Sequence, residues 1–216
     1  IISEGGQSAL VVSRGGKIFA NGSPDKPIIM TSSQDDGSLD VLNARGLWGG
    51  VAINGSATQN TASGYAQGEG FTGEYGGGTS PNDSDNSGSM TYVQIRYAGY
   101  PITADDELNT ISLHAVGSGT TLDYIHSHNG ADDGIEFYGG TVNAKHILIT
   151  GQDDDALDWT NGWTGNLQHV VVKHTTSGDN CIEADNLGAN PIATPRSNPT
   201  ISNLTCMTSS TQKSSH

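Results

Sequence analysis

Three stretches decide how this chain folds: Asp132-Asp133-Gly134-Ile135-Glu136-Phe137, Asp154-Asp155-Ala156-Leu157-Asp158-Trp159 and Asp179-Asn180-Cys181-Ile182-Glu183-Ala184. The first two lie 22 residues apart and the last two 25 apart. Each is preceded by an aliphatic run, Tyr124-Ile125, His146-Ile147-Leu148-Ile149 and His169-Val170-Val171-Val172. His146 and His169 are 23 residues apart, so the extra residues of the third copy fall between run and acidic motif, where a loop absorbs them. Each copy therefore holds two short runs rich in Val, Ile, Leu and aromatic residues, separated by Gly, Asn, Asp or Ser. Such runs read as half-buried strands. They are too short for helices.

A repeat of this length with two or three short strands is one turn of a solenoid. Each coil pairs its backbone with its neighbours and stacks its inward apolar residues into a shared core. The reading is all-β: a right-handed parallel β-helix. Upstream segments extend it. Ala9-Leu10-Val11-Val12, Lys17-Ile18-Phe19-Ala20, Pro27-Ile28-Ile29-Met30-Thr31 and Gly50-Val51-Ala52-Ile53 are strand-like, as are Tyr92 to Tyr97 and Thr110 to His114. Residues 56–89 lack periodicity and are dense in Gly, Ser, Asn and Asp, which predicts a long surface loop of the kind that often serves function. One domain over residues 1–208 with a polar tail at 209–216 is expected. Strand-like sequence already at Ile1, with no initiator Met, reads as a piece of a longer chain.

The composition agrees. Thirty glycines, with abundant Ser, Thr, Asn and Asp, make a chain that turns often. Nine Lys and Arg against 23 Asp and Glu give a net charge of −14. That surface repels nucleic acid, whose binding depends on Lys and Arg meeting phosphates. No apolar run approaches the roughly 20 residues of a membrane-spanning helix. Cys181 and Cys206 are compatible with one disulfide and equally with two unrelated thiols, and two cysteines do not assign a compartment.

Several strings resemble a family of bacterial secreted or lipoprotein right-handed β-helix proteins. They are Ser8 to Val12, Gly15 to Ala20, Gly46-Leu47-Trp48-Gly49-Gly50, Gly117 to Thr121, Asp132 to Asn143, Asp185-Asn186 and Thr194 to Pro199. The resemblance covers most of the chain. It implies an exported, secreted or outer cell-envelope bacterial protein, and it names no reaction, because that family is described by fold.

Stacked in register, the three motifs make a ladder: Asp132, Asp154 and Asp179 in one row, Asp133, Asp155 and Asn180 in a second, and Glu136, Asp158 and Glu183 in a third. Equivalent side chains would lie about 4.8 Å apart. Like charges at that distance repel by about 1 kcal/mol in water and more when desolvated. Relief comes from a bound Ca²⁺, which prefers several oxygen ligands, from raised pKa values, or from backbone N–H groups of the turns. Because Glu136, Asp158 and Glu183 alternate with Ile135, Leu157 and Ile182, they should face outward and be open to ligands. A second cation candidate is Asp83-Ser84-Asp85-Asn86-Ser87-Gly88, in which Asp83 and Asp85 resemble the start of a calcium loop. An Asp-rich loop is the competing reading.

Tyr124, His146 and His169 occupy matching positions, and His126 and His128 share a strand face that suits zinc or copper. An outward polar ladder is the simpler account. Trp159, Trp163 and Tyr138 follow the acidic motifs, and a ring beside carboxylates is a common way to hold sugar. Two functions follow. One is an extracellular or cell-envelope module with a structural, adhesive or glycan-binding role, stabilised by calcium. The other is a polysaccharide hydrolase or lyase using Asp132, Asp133, Asp154, Asp155 or Asp179 on adjacent coils. This second arrangement resembles the β-helix polygalacturonases, but their Gly-His-Gly and Arg-x-Lys tripeptides do not occur here. No nucleophile–base spacing is present either, so the reading leans away from an enzyme. Solenoid ends also expose strand edges through which copies could associate.

Overall fold

A computed structural model describes residues 1–103, 106–175 and 178–208. The polar tail at 209–216 lies outside the described residues. Seventeen strands are present among the described residues. The first coils carry β1 (Ile2–Ser3), β2 (Leu10–Val12), β3 (Ile18–Asn21), β4 (Ile28–Ser32) and β5 (Val51–Asn54). Then come β6 (Ala66–Gln67), β7 (Glu74–Tyr75), β8 (Gly88–Arg96), β9 (Pro101–Thr103), β10 (Asp106–Glu107) and β11 (Ile111–His114). The last are β12 (Thr121–His128), β13 (Ile135–Tyr138), β14 (Asn143–Thr150), β15 (Leu157–Thr160), β16 (Asn166–Lys173) and β17 (Thr200–Met207).

The pairing is that of a parallel β-helix. One sheet runs β2-β5-β11-β13-β15, and Ile182 adds a single parallel bridge to Leu157. The longer sheet runs β1-β4-β8-β12-β14-β16-β17, with β3 also paired to β8. Every pair in these two sheets is parallel. Inward columns such as Val51, Ile111, Ile135 and Leu157, or Val93, Ile125, Ile147 and Val170, form one continuous core. Removing these aliphatics from water, at about 25 cal/mol per Å², is what holds the coils together.

The long strands bend at one residue each. Tyr92, Tyr124, His146, His169 and Asn203 all have φ between 51° and 59° and drop out of the pairing register. This left-handed corner folds the long sheet into two faces, so each coil has three sides. A non-glycine residue there costs about 1 kcal/mol or more. Part of that is returned by stacking of the corner rings: Tyr92 on Tyr124 at 4.3 Å, Tyr124 on His146 at 4.3 Å and His146 on His169 at 5.1 Å between centroids. The ladder expected from matching Tyr124, His146 and His169 is thus an aromatic stack. Its origin is a backbone bend.

Residues 56–89 do form a long surface segment, though not a featureless one. It contains the antiparallel β6–β7 hairpin and ends by entering β8 at Gly88. The arm lies over the outer face of the first sheet, where Tyr75 stacks on His114 at 4.8 Å and Asn161 Nδ2 donates to Tyr75 Oη at 2.8 Å. Cys181 and Cys206 form a disulfide with Cα atoms 6.3 Å apart, tying β17 to the turn before Ile182.

Candidate functional site

The turns that lead from the third side of each coil into the first sheet carry the acidic motifs. Their second positions form a ladder across coils. Asn109 Oδ1 accepts from the Asp133 amide at 3.2 Å, Asp133 Oδ1 from the Asp155 amide at 3.0 Å, and Asp155 Oδ1 from the Asn180 amide at 2.5 Å. Each side chain thus satisfies a backbone N–H of the next coil, where the sequence suggested bonds within its own turn. Asn109 is the rung that sequence comparison missed, because Leu108-Asn109-Thr110-Ile111 has lost the acids that mark the other copies.

Carboxylate oxygens of neighbouring coils also converge. Three groups each place one oxygen per residue within 4.8 Å of the others: Asp132, Asp133 and Asp154; Asp133, Glu136 and Asp158; and Asp154, Asp155 and Asp179. Asp133 and Glu136 are 7% exposed and Asp155 is 3% exposed. Among the described residues, no Lys or Arg forms an ion pair with Asp132, Asp133, Glu136, Asp155 or Asp158. Asp158 pairs with Glu136 across β13 and β15, and its Oδ1 is buried without a hydrogen-bond partner.

Burial without a positive partner penalises the charged form. Burial, and then the charges of Glu69, Glu107 and Asp154, push the Asp132 carboxyl up to about 8. Burial and then the Glu183 carboxyl push Asp155 to about 7. Asp133 and Glu136 are held well above the carboxylate range, by burial first and neighbouring acids next, and burial also raises Asp158.

The predicted outward stripe needs correction. Glu136 does point away from the coil interior, as its alternation requires, but the arm covers it. Its Oε2 accepts from Asn109 Nδ2 at 2.7 Å and from the Tyr138 hydroxyl. Asn109 Nδ2 also reaches Glu69 Oε2 at 3.0 Å, so the arm brings its own carboxylate to the cluster. Glu183, two coils later, remains exposed. Glu69, Asn54 and His114 are further polar groups that no local motif marks. His114 is completely buried, with Nδ1 on Asn54 Oδ1 at 2.8 Å, and desolvation lowers its pKa to about 3.

The aromatic candidates separate. Trp163 has no exposed surface. It stacks on Phe137 at 3.9 Å, and its Nε1 donates to Val142 O at 3.2 Å, so neither face is left for a sugar. Tyr138 is buried under the arm against His114. Trp159 points inward by its register with Phe137, yet it is half-exposed and lines a depression of about 500 Å³ with Asp185, Arg196 and Pro199.

Asp83 and Asp85 stand apart from all three acidic groups. Asp83 Oδ1 accepts from the Thr58 amide at 2.8 Å. Asp85 accepts from Ser56 Oγ at 3.0 Å and Ser87 Oγ at 3.2 Å, so both brace the arm. His126 Nε2 and His128 Nδ1 both engage Thr150 Oγ1, at 2.9 and 2.7 Å. Burial lowers both pKa values, that of His126 to about 4.

Compared with protein families, residues 1–216 match the model of a pectate-lyase-like beta helix domain. The chain belongs to that family. Searches of curated proteins and of solved structures found no match. The pectate-lyase-like domain accounts for the stacked parallel sheets. The family name alone assigns no reaction to the carboxylates of this chain.

Among the described residues of this pectate-lyase-like domain, no helix is long and apolar enough to cross a membrane.

Proposed function

We propose that this pectate-lyase-like domain is a glycan-associated binding and structural module of the bacterial cell surface or exterior, braced by Ca²⁺ held between carboxylates of adjacent coils. The observation that carries the reading is the convergence of acid oxygens to within 4.8 Å, on three successive coils, with no basic partner for the buried ones among the described residues. A Ca²⁺ ion binds oxygens at about 2.3–2.6 Å, so two ligands of one ion lie up to about 5 Å apart. The donor set is all oxygen, as a hard cation requires. Within the Asp133, Glu136 and Asp158 group, Asp158 Oδ1 is buried without a hydrogen-bond partner and so is available to a cation. The Cys181–Cys206 disulfide supports an oxidising, extracytoplasmic setting.

A polysaccharide hydrolase is the second reading. What favours it is Asp132, whose carboxyl near 8 would remain protonated as a general acid at neutral pH. The absence of the Gly-His-Gly and Arg-x-Lys tripeptides of the β-helix polygalacturonases weighs against it.

Chelator-stripped protein titrated with Ca²⁺ by calorimetry, with melting followed in parallel, tests the proposal. Binding should raise the melting temperature, since a ligand of the native state stabilises it by mass action. Asp154→Asn with Asp155→Asn should remove both the heat and the shift. Neither heat nor shift in the unmodified protein would sink the calcium reading. Release of reducing ends from a polysaccharide, lost in Asp132→Asn, would replace it with the hydrolase.

A further inference from the structure

The three outer sides of the coils differ in what they offer. The first is covered by the arm over much of its length. The third presents exposed aliphatics, Leu148 and Val171, beside the buried-edge histidines. The second, formed by the first halves of β12, β14 and β16, is open and lined mainly by polar residues, with Leu122 and Ala144 at its floor. It holds a groove of about 330 Å³, within the usual range of ligand clefts.

Its floor is built by alternation: Leu122, Ala144 and Leu167 turn inward, so their neighbours turn out. The outward columns are Thr121, Asn143 and Asn166, and beside them Asp123, Lys145 and Gln168. Asn166 N and Nδ2 both donate to Asn143 Oδ1, at 2.9 and 2.6 Å. That contact orients both amides, and among the described residues Asn143 Nδ2, Asn166 Oδ1 and the Gln168 side-chain amide have no hydrogen-bond partner. Asp123 is neutralised locally by Lys145 Nζ at 3.6 Å and held by His146 Nδ1 at 2.7 Å. The corner stack of Tyr124, His146 and His169 follows Asp123, Lys145 and Gln168 along the strands, and Ser118 lines the other side of the groove, fixed by its Oγ to Asp83 O at 2.9 Å.

We infer that this groove binds a neutral, extended polysaccharide lying along the coil axis, with successive sugars meeting successive coils. The inference rests on the glycan association proposed above and gives it a place that the buried Trp163 and Tyr138 do not. Carboxamides carry both donors and acceptors, as a sugar hydroxyl requires of its partners. On a chain of net charge −14 this face is locally balanced, which removes the repulsion an anionic ligand would meet elsewhere without creating attraction for one. The sheet backbone is already paired, so an extended peptide has no ladder to join here. Tyr124 and His146 are stacked on both faces, so neither offers a platform for a sugar ring.

Affinity electrophoresis in gels containing galactomannan, mixed-linkage β-glucan, neutral xylan or polygalacturonate tests this, with and without chelator. At least one neutral polysaccharide should retard the protein. Asn143→Ala with Gln168→Ala, both at exposed positions, should weaken that retardation by about tenfold or more, the effect of about 1.4 kcal/mol, with the native circular dichroism spectrum and cooperative melting retained. Asp154→Asn with Asp155→Asn should leave it intact, which separates this groove from the cation site. Retardation by polygalacturonate alone, by none of the four, or to within twofold in the groove variant overturns the assignment. So does retardation that chelator abolishes while the groove variant retains it.

Discussion

The most exposing test of the carboxylate ladder is the pH dependence of Asp155→Asn in the presence of chelator. Asp155 is 3% exposed, and burial followed by the Glu183 carboxyl raises its pKa to about 7. A free aspartate titrates near 3.9. A raised acid binds its proton more tightly when folded, so its stabilisation is complete below pH 4 and is lost as the pH climbs through 7. Between pH 5 and pH 8 that loss amounts to about 2.6 kcal/mol for one such group, taken as an order of magnitude. Other groups titrate in the same window. His114, lowered to about 3 by burial, and His126, lowered to about 4 by burial and then by His128 and Arg96, pull the opposite way, each by about 2 kcal/mol as the unfolded imidazoles lose their protons. The unmodified protein's net slope is therefore a poor readout, whereas the difference between protein and variant cancels these terms. An asparagine mimics the protonated acid: its Oδ1 can accept from the Asn180 amide as Asp155 does at 2.5 Å, and its Nδ2 can donate towards Glu183. The variant's advantage over the parent should grow by about 2.6 kcal/mol between pH 5 and pH 8, or about 5–10 °C in melting temperature for a chain of this size. Denaturant melts at both pH values measure it. A difference below about 0.5 kcal/mol, or a variant less stable at pH 8 than at pH 5 relative to the parent, would refute the claim that Asp155 is buried without a compensating charge.

Two further outcomes follow from the packing. Trp163→Ala should cost about 3–5 kcal/mol by emptying the core beside Phe137, measurable by denaturant melts; a ring serving as an exposed ligand platform would cost well under 1 kcal/mol. At the corner, where Tyr124 has φ 54°, Tyr124→Gly should be more stable than Tyr124→Ala by about 1 kcal/mol, because both lose the stack but only glycine relieves the left-handed backbone. Equal melting of the two variants would contradict that account.

The repeat of Asp132–Phe137 at Asp154 and Asp179 was sufficient to establish a coil, its strands and the order of the acidic rows, because stacking like on like writes the same pattern once per turn. Strand alternation likewise set Glu136 and Asp158 on the side opposite Ile135 and Leu157, which lie in the core. Surface exposure was not legible in that pattern. Glu136 and Tyr138 lie on an outward face, yet an arm from residues 56–89 closes over them, and its Glu69 and Tyr75 come from a segment without periodicity. Trp163 follows a turn among polar residues, and only packing against Phe137 makes it a core ring. Asn109 continues the Asp133–Asp155–Asn180 ladder without the acidic neighbours that would mark it. The left-handed bend at Tyr124, His146 and His169 also escaped the sequence, since nothing in a tyrosine or histidine specifies positive φ. Local periodicity determines which way a side chain leaves its strand, because that depends on the chain's own geometry. What covers the side chain, and which charges gather around it, depends on segments distant in sequence, and only the tertiary structure brings these together.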